Sequence, residues 1–170
     1  PSWGKLWLAM VSLYRWEGVT PVPPELWALP SAIPIHPSRY HSHTRQVFLS
    51  MAGLYGQRLQ APVTPLTEEL RAELFPMGFD RVDFTVARAS FRREDLFAEP
   101  SRILKAGYDL LKLLDRAQTD RGRKRALERI RASIRWELQA TSHASLSPVS
   151  GLLDILALWS NDAEDPDALA

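Results

Sequence analysis

Apolar residues along this chain recur at intervals of three and four, broken by proline-rich or polar stretches, and that rhythm predicts helices. The first expected helix runs from Lys5 to Trp16, with Leu6, Met10, Leu13 and Tyr14 at helical spacing and Gly18 as its stop. Prolines at 21, 23, 24, 30, 34 and 37 follow. Proline lacks an amide donor and turns the preceding residue away from helix, so neither a regular helix nor a central strand fits there. Leu26, Trp27, Leu29, Ile33 and Ile35 are interleaved with these prolines, which predicts an ordered, extended loop rather than a loose linker.

From His41 to Leu59 the pattern is helical again, with Val47, Phe48, Met51, Ala52, Tyr55 and Leu59 on one stripe. Thr64 and Pro65 form an N-cap and first-turn pair for a short helix carrying Leu66, Leu70 and Leu74. After a loop with Pro76 and Gly78, a helical stretch is expected over Val82 to Arg88. Pro100 opens the next helix, faced by Ile103, Leu104, Gly107, Leu110, Leu111 and Leu114. Asp120 is expected to cap a helix with Leu127, Ile130, Ile134 and Leu138, and Ser147–Pro148 to start one carrying Leu152, Leu153, Ile155, Leu156 and Trp159. No useful length alternates with period two, and no exact repeat is present. The fold class is all-α, with helix hairpins as in a stack or part of an α/α barrel.

Composition narrows the chemistry. With 21 basic and 20 acidic residues the net charge is +1, so the chain as a whole has no pull towards nucleic acid. There is no cysteine, which removes disulfides, thiolate catalysis and Cys-type zinc sites and leaves the compartment open, with a lean towards the cytoplasm. No secretory signal and no apolar run of about 20 residues is visible, so any membrane contact is expected on one face only. Trp3, Trp7, Trp16 and Trp27 crowd the first thirty residues, with Tyr14, Tyr40, Phe48 and Tyr55 close behind. Core packing accounts for most such rings; a pocket for a large apolar molecule needs the same crowding.

Tyr40-His41-Ser42-His43-Thr44-Arg45-Gln46 is where titratable groups gather beside aromatic ones. An imidazole can accept or relay a proton, and it can equally cap a helix or bond within a core. Two histidines two apart do not share a helical face, and no carboxylate lies nearby in sequence, so no metal is assigned to them.

The runs Pro1-Ser2-Trp3-Gly4-Lys5-Leu6-Trp7-Leu8-Ala9, Trp16-Glu17-Gly18, Pro24-Glu25-Leu26-Trp27, His36-Pro37-Ser38 and His43-Thr44-Arg45-Gln46-Val47-Phe48-Leu49 resemble, in order and spacing, the oxidosqualene cyclases. These are the lanosterol-synthase type of triterpene cyclase, related to the squalene-hopene cyclases. The likeness continues at Leu70 to Phe75, Asp95-Leu96-Phe97 and Ser147-Pro148-Val149 and so covers essentially the whole chain; its front third is the specific part. The resemblance implies that residues 1–170 form a single, partial α/α barrel domain, a large part of an N-terminal barrel whose partner is a C-terminal barrel domain. It implies cyclisation of 2,3-oxidosqualene, or squalene, to a polycyclic triterpenoid or sterol precursor, without a cofactor. An aspartate protonates the epoxide, aromatic rings stabilise the migrating cation, and a proton is finally lost. It also implies a peripheral, monotopic enzyme on the cytoplasmic side of a membrane.

On the same grounds Trp3 is a cavity-wall ring. His43 matches the histidine of the family's Trp-Cys-His-Cys-Arg motif, implicated in the polar network and the terminal deprotonation. Thr44 and Phe48 fall at the constriction between a membrane-side access channel and the cavity, and Val149 is a further wall position. The sequence departs from the family where His41 replaces the motif's tryptophan, Ser42 and Thr44 its two cysteines, and Ser50 a proline. An imidazole in place of an indole removes up to about 2 kcal/mol of cation–π stabilisation from a cavity wall and can quench a cation. The acid motif, Asp-Cys-Thr-Ala-Glu in the family, is absent, and Asp80, Asp83, Asp95 and Asp109 read as caps and surface charges. The chain alone is therefore expected to be inactive. Two other readings stand beside this one. Arg121, Arg123, Lys124, Arg125, Arg129, Arg131 and Arg135, against Glu128 alone, could grip anionic lipid or nucleic acid, or simply form a solvated helix face. The other is a helical scaffold without catalysis.

Overall fold

In the computed structural model, residues 2–33, 36–86 and 101–169 are described, and within them not the side chains of Ser2, Ile103 and Leu104. Pro34, Ile35, Arg88, Asp95, Leu96, Phe97 and Pro100, each part of an expectation above, lie outside the described residues, as do the side chains of Ile103 and Leu104. Among the described residues there are helices and short 3-10 turns and no strand. The helices are α1 (Ser2–Met10), α2 (Ser42–Gln57), α3 (Pro65–Leu74), α4 (Arg102–Ala117), α5 (Asp120–Ala140), α6 (Pro148–Trp159) and the single turn α7 (Pro166–Leu169). The all-α expectation holds.

Two units gather the chain: residues 1–21 with 58–108, and residues 22–57 with 109–170. In the first, α1 buries Leu6, Ala9 and Met10. It ends at Met10, not at Trp16 as its apolar spacing suggested, and Gly18 is not its stop. Ser12 takes a left-handed conformation (φ 63°), while the Leu13 amide donates to the Leu8 carbonyl and the Ser12 amide to that of Ala9. This is the closing pattern usually given to glycine. Here a serine fills it because its own groups are held: its hydroxyl donates to the Ala61 carbonyl, and its carbonyl accepts from Arg71 Nε at 2.8 Å. Phe84 is buried against Tyr14 (4.7 Å between ring centres), Phe79 (5.1 Å) and Phe75 (5.5 Å). The Arg71 guanidinium lies 4.1 Å over the Phe79 ring.

Gly18 serves this aromatic cluster: a Cβ there would meet Tyr14 Cε1 at 2.6 Å and the Phe84 carbonyl at 2.8 Å. The helix expected from Val82 is a second correction. Phe79–Arg81 is a 3-10 turn, and residues 82–85 run on as loop and turn, with the Asp83 carboxylate accepting from Thr85; residues 87 and 88 of the expected stretch lie outside the described residues. Such local side-chain bonds compete with helix. The Thr64–Pro65 start of α3 is as expected, with Thr64 and Thr67 in a reciprocal capping box. Its leucine face is not a core face: Leu66 and Leu74 are exposed, and Thr67 is the buried residue.

In the second unit α2 is buried almost all round, through Val47, Leu49, Met51, Ala52, Leu54 and Tyr55, and packs between α5 and α6. Its approach to α5 uses two glycines. A Cβ on Gly53 would lie 3.2 Å from Ile130, and one on Gly56 only 2.9 Å from Leu127 and Pro24. The proline-rich segment is ordered as expected: Pro24–Ala28 is a 3-10 turn laid along α5, burying Leu26. Arg123 ties it down, its Nε 2.6 Å from Glu25 and a terminal nitrogen 3.3 Å from Asp115, which also accepts from the Tyr55 hydroxyl (2.7 Å). Helix α5 buries Ala126, Ile130, Ile134 and Leu138. Its cap is Thr119, which accepts from the Gly122 amide; Asp120, expected in that place, is the first helical residue.

Candidate functional site

The predicted site residues lie on elements whose starts are fixed by local chemistry. His36, buried, accepts from the Ser38 amide at 3.1 Å and so caps the turn Pro37–Arg39 that leads into α2. His41 offers its carbonyl to the Arg45 amide (2.8 Å), just ahead of the first turn, and its side chain is exposed. His43 and Thr44 are exposed in that first turn, and Phe48, one turn on from Thr44, is 36% exposed. The Phe48 ring meets Tyr40 edge to face at 6.0 Å. Phe48 therefore leaves the buried stripe expected for it.

At α6 the N-cap Ser147 accepts from the Ser150 amide, and Ser150 reciprocates. His43 Nε2 reaches the Ser147 hydroxyl at 3.1 Å, so the structure brings His43 to the start of α6, two residues before Val149. Val149, Leu152 and Trp159 are about half exposed on one side of α6, opposite buried Leu153, Ala157 and Leu158. Trp3, half-buried on α1, belongs to the first unit.

The group that sequence reasoning passed over is Asp154. It is 1% exposed, in the middle of α6, and takes the Ser50 hydroxyl on Oδ1 and the Ser145 hydroxyl on Oδ2 at 3.4 Å. Burial lifts the Asp154 carboxyl from 3.8 to about 7, against the Ser50 hydrogen bond and with help from the Glu137 charge. Glu137 is itself pushed up by burial and drawn back by Arg45 and Gln46. The available signal was a lone carboxylate inside Leu152-Leu153-Asp154-Ile155-Leu156.

Among the described residues no three His, Asp or Glu side chains are grouped as a metal ion needs, and no helix is long and apolar enough to cross a membrane. An open hollow of about 530 Å³ in the second unit is lined by Ala28, Gly122, Arg125, Glu128, Arg129 and Ala132, none of them a predicted cavity residue. The basic run of α5 is partly spent inside the protein. Arg123 serves Glu25 and Asp115, Arg129 reaches the Ala28 carbonyl, and Arg135 pairs with the buried Asp165.

Comparison with known proteins adds to this geometry. The family described as the squalene-hopene cyclase N-terminal domain matches residues 1–168. The chain is similar to the lanosterol synthase of Mus musculus, 34% identical over 99% of this chain and 23% of that protein. It is 35% identical to the lanosterol synthase of Homo sapiens over 94% of this chain and 22% of that one. It is also 30% identical to the cycloartenol synthase of Dictyostelium discoideum, over 98% of this chain and 24% of that one. The chain thus spans about a quarter of the length of the relatives it matches.

Proposed function

The chain belongs to the squalene-hopene cyclase N-terminal domain family, and from that premise we propose that it serves, within a longer protein, as one wall of a triterpene cyclase acting on 2,3-oxidosqualene or squalene. The observation that carries the proposal is a family match over residues 1–168, with relatives named for lanosterol and cycloartenol synthesis. In this reading Trp3, His41, Thr44, Phe48 and Val149 contact the polyene, and His43 belongs to the polar network that takes the final proton. The epoxide acid lies outside these residues.

The chemistry suits the side chains. A carbocation in a dry cavity survives only against π faces and fixed dipoles, since a free nucleophile would quench it. The Tyr40–Phe48 pair presents ring surface on the side of α2 that Thr44 shares by spacing, with Thr44 exposed and about a third of Phe48 left uncovered. His43 has one ring nitrogen engaged with Ser147, which fixes the ring and leaves Nδ1 for a second partner. We place the longer protein on the cytoplasmic face of a membrane, in contact with one leaflet.

The test uses the full-length protein with each substrate, products being separated by gas chromatography and identified by mass. The wild type is expected to give a polycyclic product. His43→Ala is expected to lower turnover by about 100-fold, the usual scale for a lost acid–base group, and to change the product pattern while helicity persists. Inert wild-type protein with both substrates would leave the scaffold reading in possession. Extraction by detergent but not by alkaline carbonate is the result that supports one-leaflet insertion.

A further inference from the structure

Between His43 and Asp154 the second unit holds an unbroken line of hydroxyl groups. His43 Nε2 lies 3.1 Å from Ser147 Oγ, Ser147 Oγ lies 3.1 Å from Ser150 Oγ, and Ser150 Oγ lies 2.9 Å from Ser145 Oγ. Ser145 Oγ donates to Asp154 Oδ2 at 3.4 Å, while Ser50 donates to the other carboxylate oxygen. We propose that Asp154 is a positioning residue for His43, receiving its proton through Ser147, Ser150 and Ser145. The proposal rests on the reading of His43 as the proton-handling group of the cyclase.

Each serine hydroxyl has one proton to give and two lone pairs to receive, so the four links can all point the same way. With Nε2–H donating to Ser147, Ser147 to Ser150, Ser150 to Ser145 and Ser145 to Asp154, every bond runs inward. The transfer then balances. The imidazolium loses its Nε2 proton to Ser147, each serine passes its former proton to the next oxygen, and Asp154 Oδ2 gains one. Imidazolium and carboxylate become imidazole and carboxylic acid, and the three hydroxyls are restored. Ser150 has a competing acceptor, the Ser147 carbonyl at 3.0 Å, so its proton alternates between closing the helix cap and completing the line.

Two features mark the line as built. The loop between α5 and α6 places three non-glycine residues in the left-handed region: Ser142 (φ 51°), His143 (φ 61°) and Ser145 (φ 56°). Such conformations are costly and persist where the surroundings enforce them. Here they bring the Ser145 hydroxyl within reach of both Ser150 and Asp154. Asp154 moreover is a buried carboxyl in a helix whose other polar side chain is Ser150, and burial lifts it to about 7, where it can change charge under neutral conditions. The groups facing it are Ser50 from α2, Ser145 from the loop and Glu137 from α5, the last beside Arg45 and Gln46.

The experiment follows the His43 Cε1–H resonance by NMR in full-length protein carrying 13C-histidine, assigned through His43→Gln. Two coupled groups titrate in two steps. The wild-type curve is expected to show a second inflection near 7, where Asp154 ionises. Asp154→Asn should reduce it to one step. Ser145→Ala, which cuts the line but spares the Ser147–Ser150 cap, should flatten the second inflection, and Ser50→Ala, off the line, should keep it and move it upward. Superimposable His43 curves in wild type, Asp154→Asn and Ser145→Ala overturn the proposal. So does an inflection that Asp154→Asn abolishes and Ser145→Ala leaves untouched, because charge alone then accounts for it. Should Asp154→Asn not fold, Ser145→Ala decides. None of these readouts needs turnover, so failure to cyclise would count against the proposed function and leave the relay standing.

Discussion

Asp154 costs the fold something whenever it is charged, and the cost has a definite sign. Its carboxyl is raised in the folded protein from 3.8 to about 7, chiefly by burial. The stabilisation carried by the neutral form is therefore complete below about pH 3.8 and lost as the pH climbs to 7. Asp154→Asn keeps the shape and never ionises. Measured by urea unfolding at several pH values, the variant should gain on the wild type steadily across that window. The gain reaches about 4 kcal/mol at most and is flat above it. A difference that does not change with pH would mean that Asp154 is neutral throughout or solvated. The carboxylate was visible in the sequence as an interruption of apolar residues, but its meaning was not. Its partners Ser50 and Ser145 are 104 and 9 residues away, and only folding brings the hydroxyls in. His43 drew notice because it sits in a run of polar and aromatic neighbours, a signal of residue type and not of role; Phe48 could be read as an aromatic but not as an exposed one. A helix buried on nearly every side, as α2 is, gives no single stripe to read.

Helix starts were easier to read than helix stops. Thr64–Pro65 and Ser147–Pro148 announce themselves, because a hydroxyl that accepts from the third amide and a proline that needs no donor are residue-type signals. Both proved to be reciprocal capping boxes. The stops at Met10 and Ala140 carry no glycine. Each is followed by a left-handed serine, Ser12 and Ser142, with the amide of the next residue bonded back to Leu8 or Leu138. A serine at that position is silent in the sequence, and the end of α1 was accordingly placed six residues too far on, at Trp16 instead of Met10. Ser142 is exposed, so its side chain gains nothing evident from the conformation. Ser142→Gly should stabilise the protein by about 1 kcal/mol, seen as a raised unfolding midpoint with an unchanged slope. Ser12→Gly should do the reverse, since it deletes a buried hydroxyl bonded to the Ala61 carbonyl. Of the two glycines where α2 meets α5, Gly56 is the tighter. Its missing side chain lets α2 settle against Leu127 and Pro24, and Gly56→Ala should cost about 1–3 kcal/mol through overpacking.

At the scale of the whole molecule, what the sequence could not say is which apolar faces are core and which are offered outward. Periodicity finds a stripe but not its partner. Leu66 and Leu74 of α3 were read only as the leucines of a short helix and are 62% and 52% exposed, while α6 is apolar on both sides, with Val149, Leu152 and Trp159 left half exposed. A helix that is hydrophobic all round belongs in the interior of something larger. The relatives are about four times the length of this chain, which supplies room for that something. Leu152→Glu discriminates between a face that is covered in the longer protein and one that meets water. On a solvent face the substitution is nearly neutral, within about 0.5 kcal/mol. Under a cover it buries an unpaired carboxylate and should cost several times that, on the order of 2–4 kcal/mol. Chemical unfolding of the full-length protein, with the same change made in the 170-residue chain as reference, measures the difference directly. A large loss in the long protein and a small one in the short chain means that α6 is an internal helix whose second side is packed by residues beyond these 170. Equal small losses mean that its apolar side faces solvent in both.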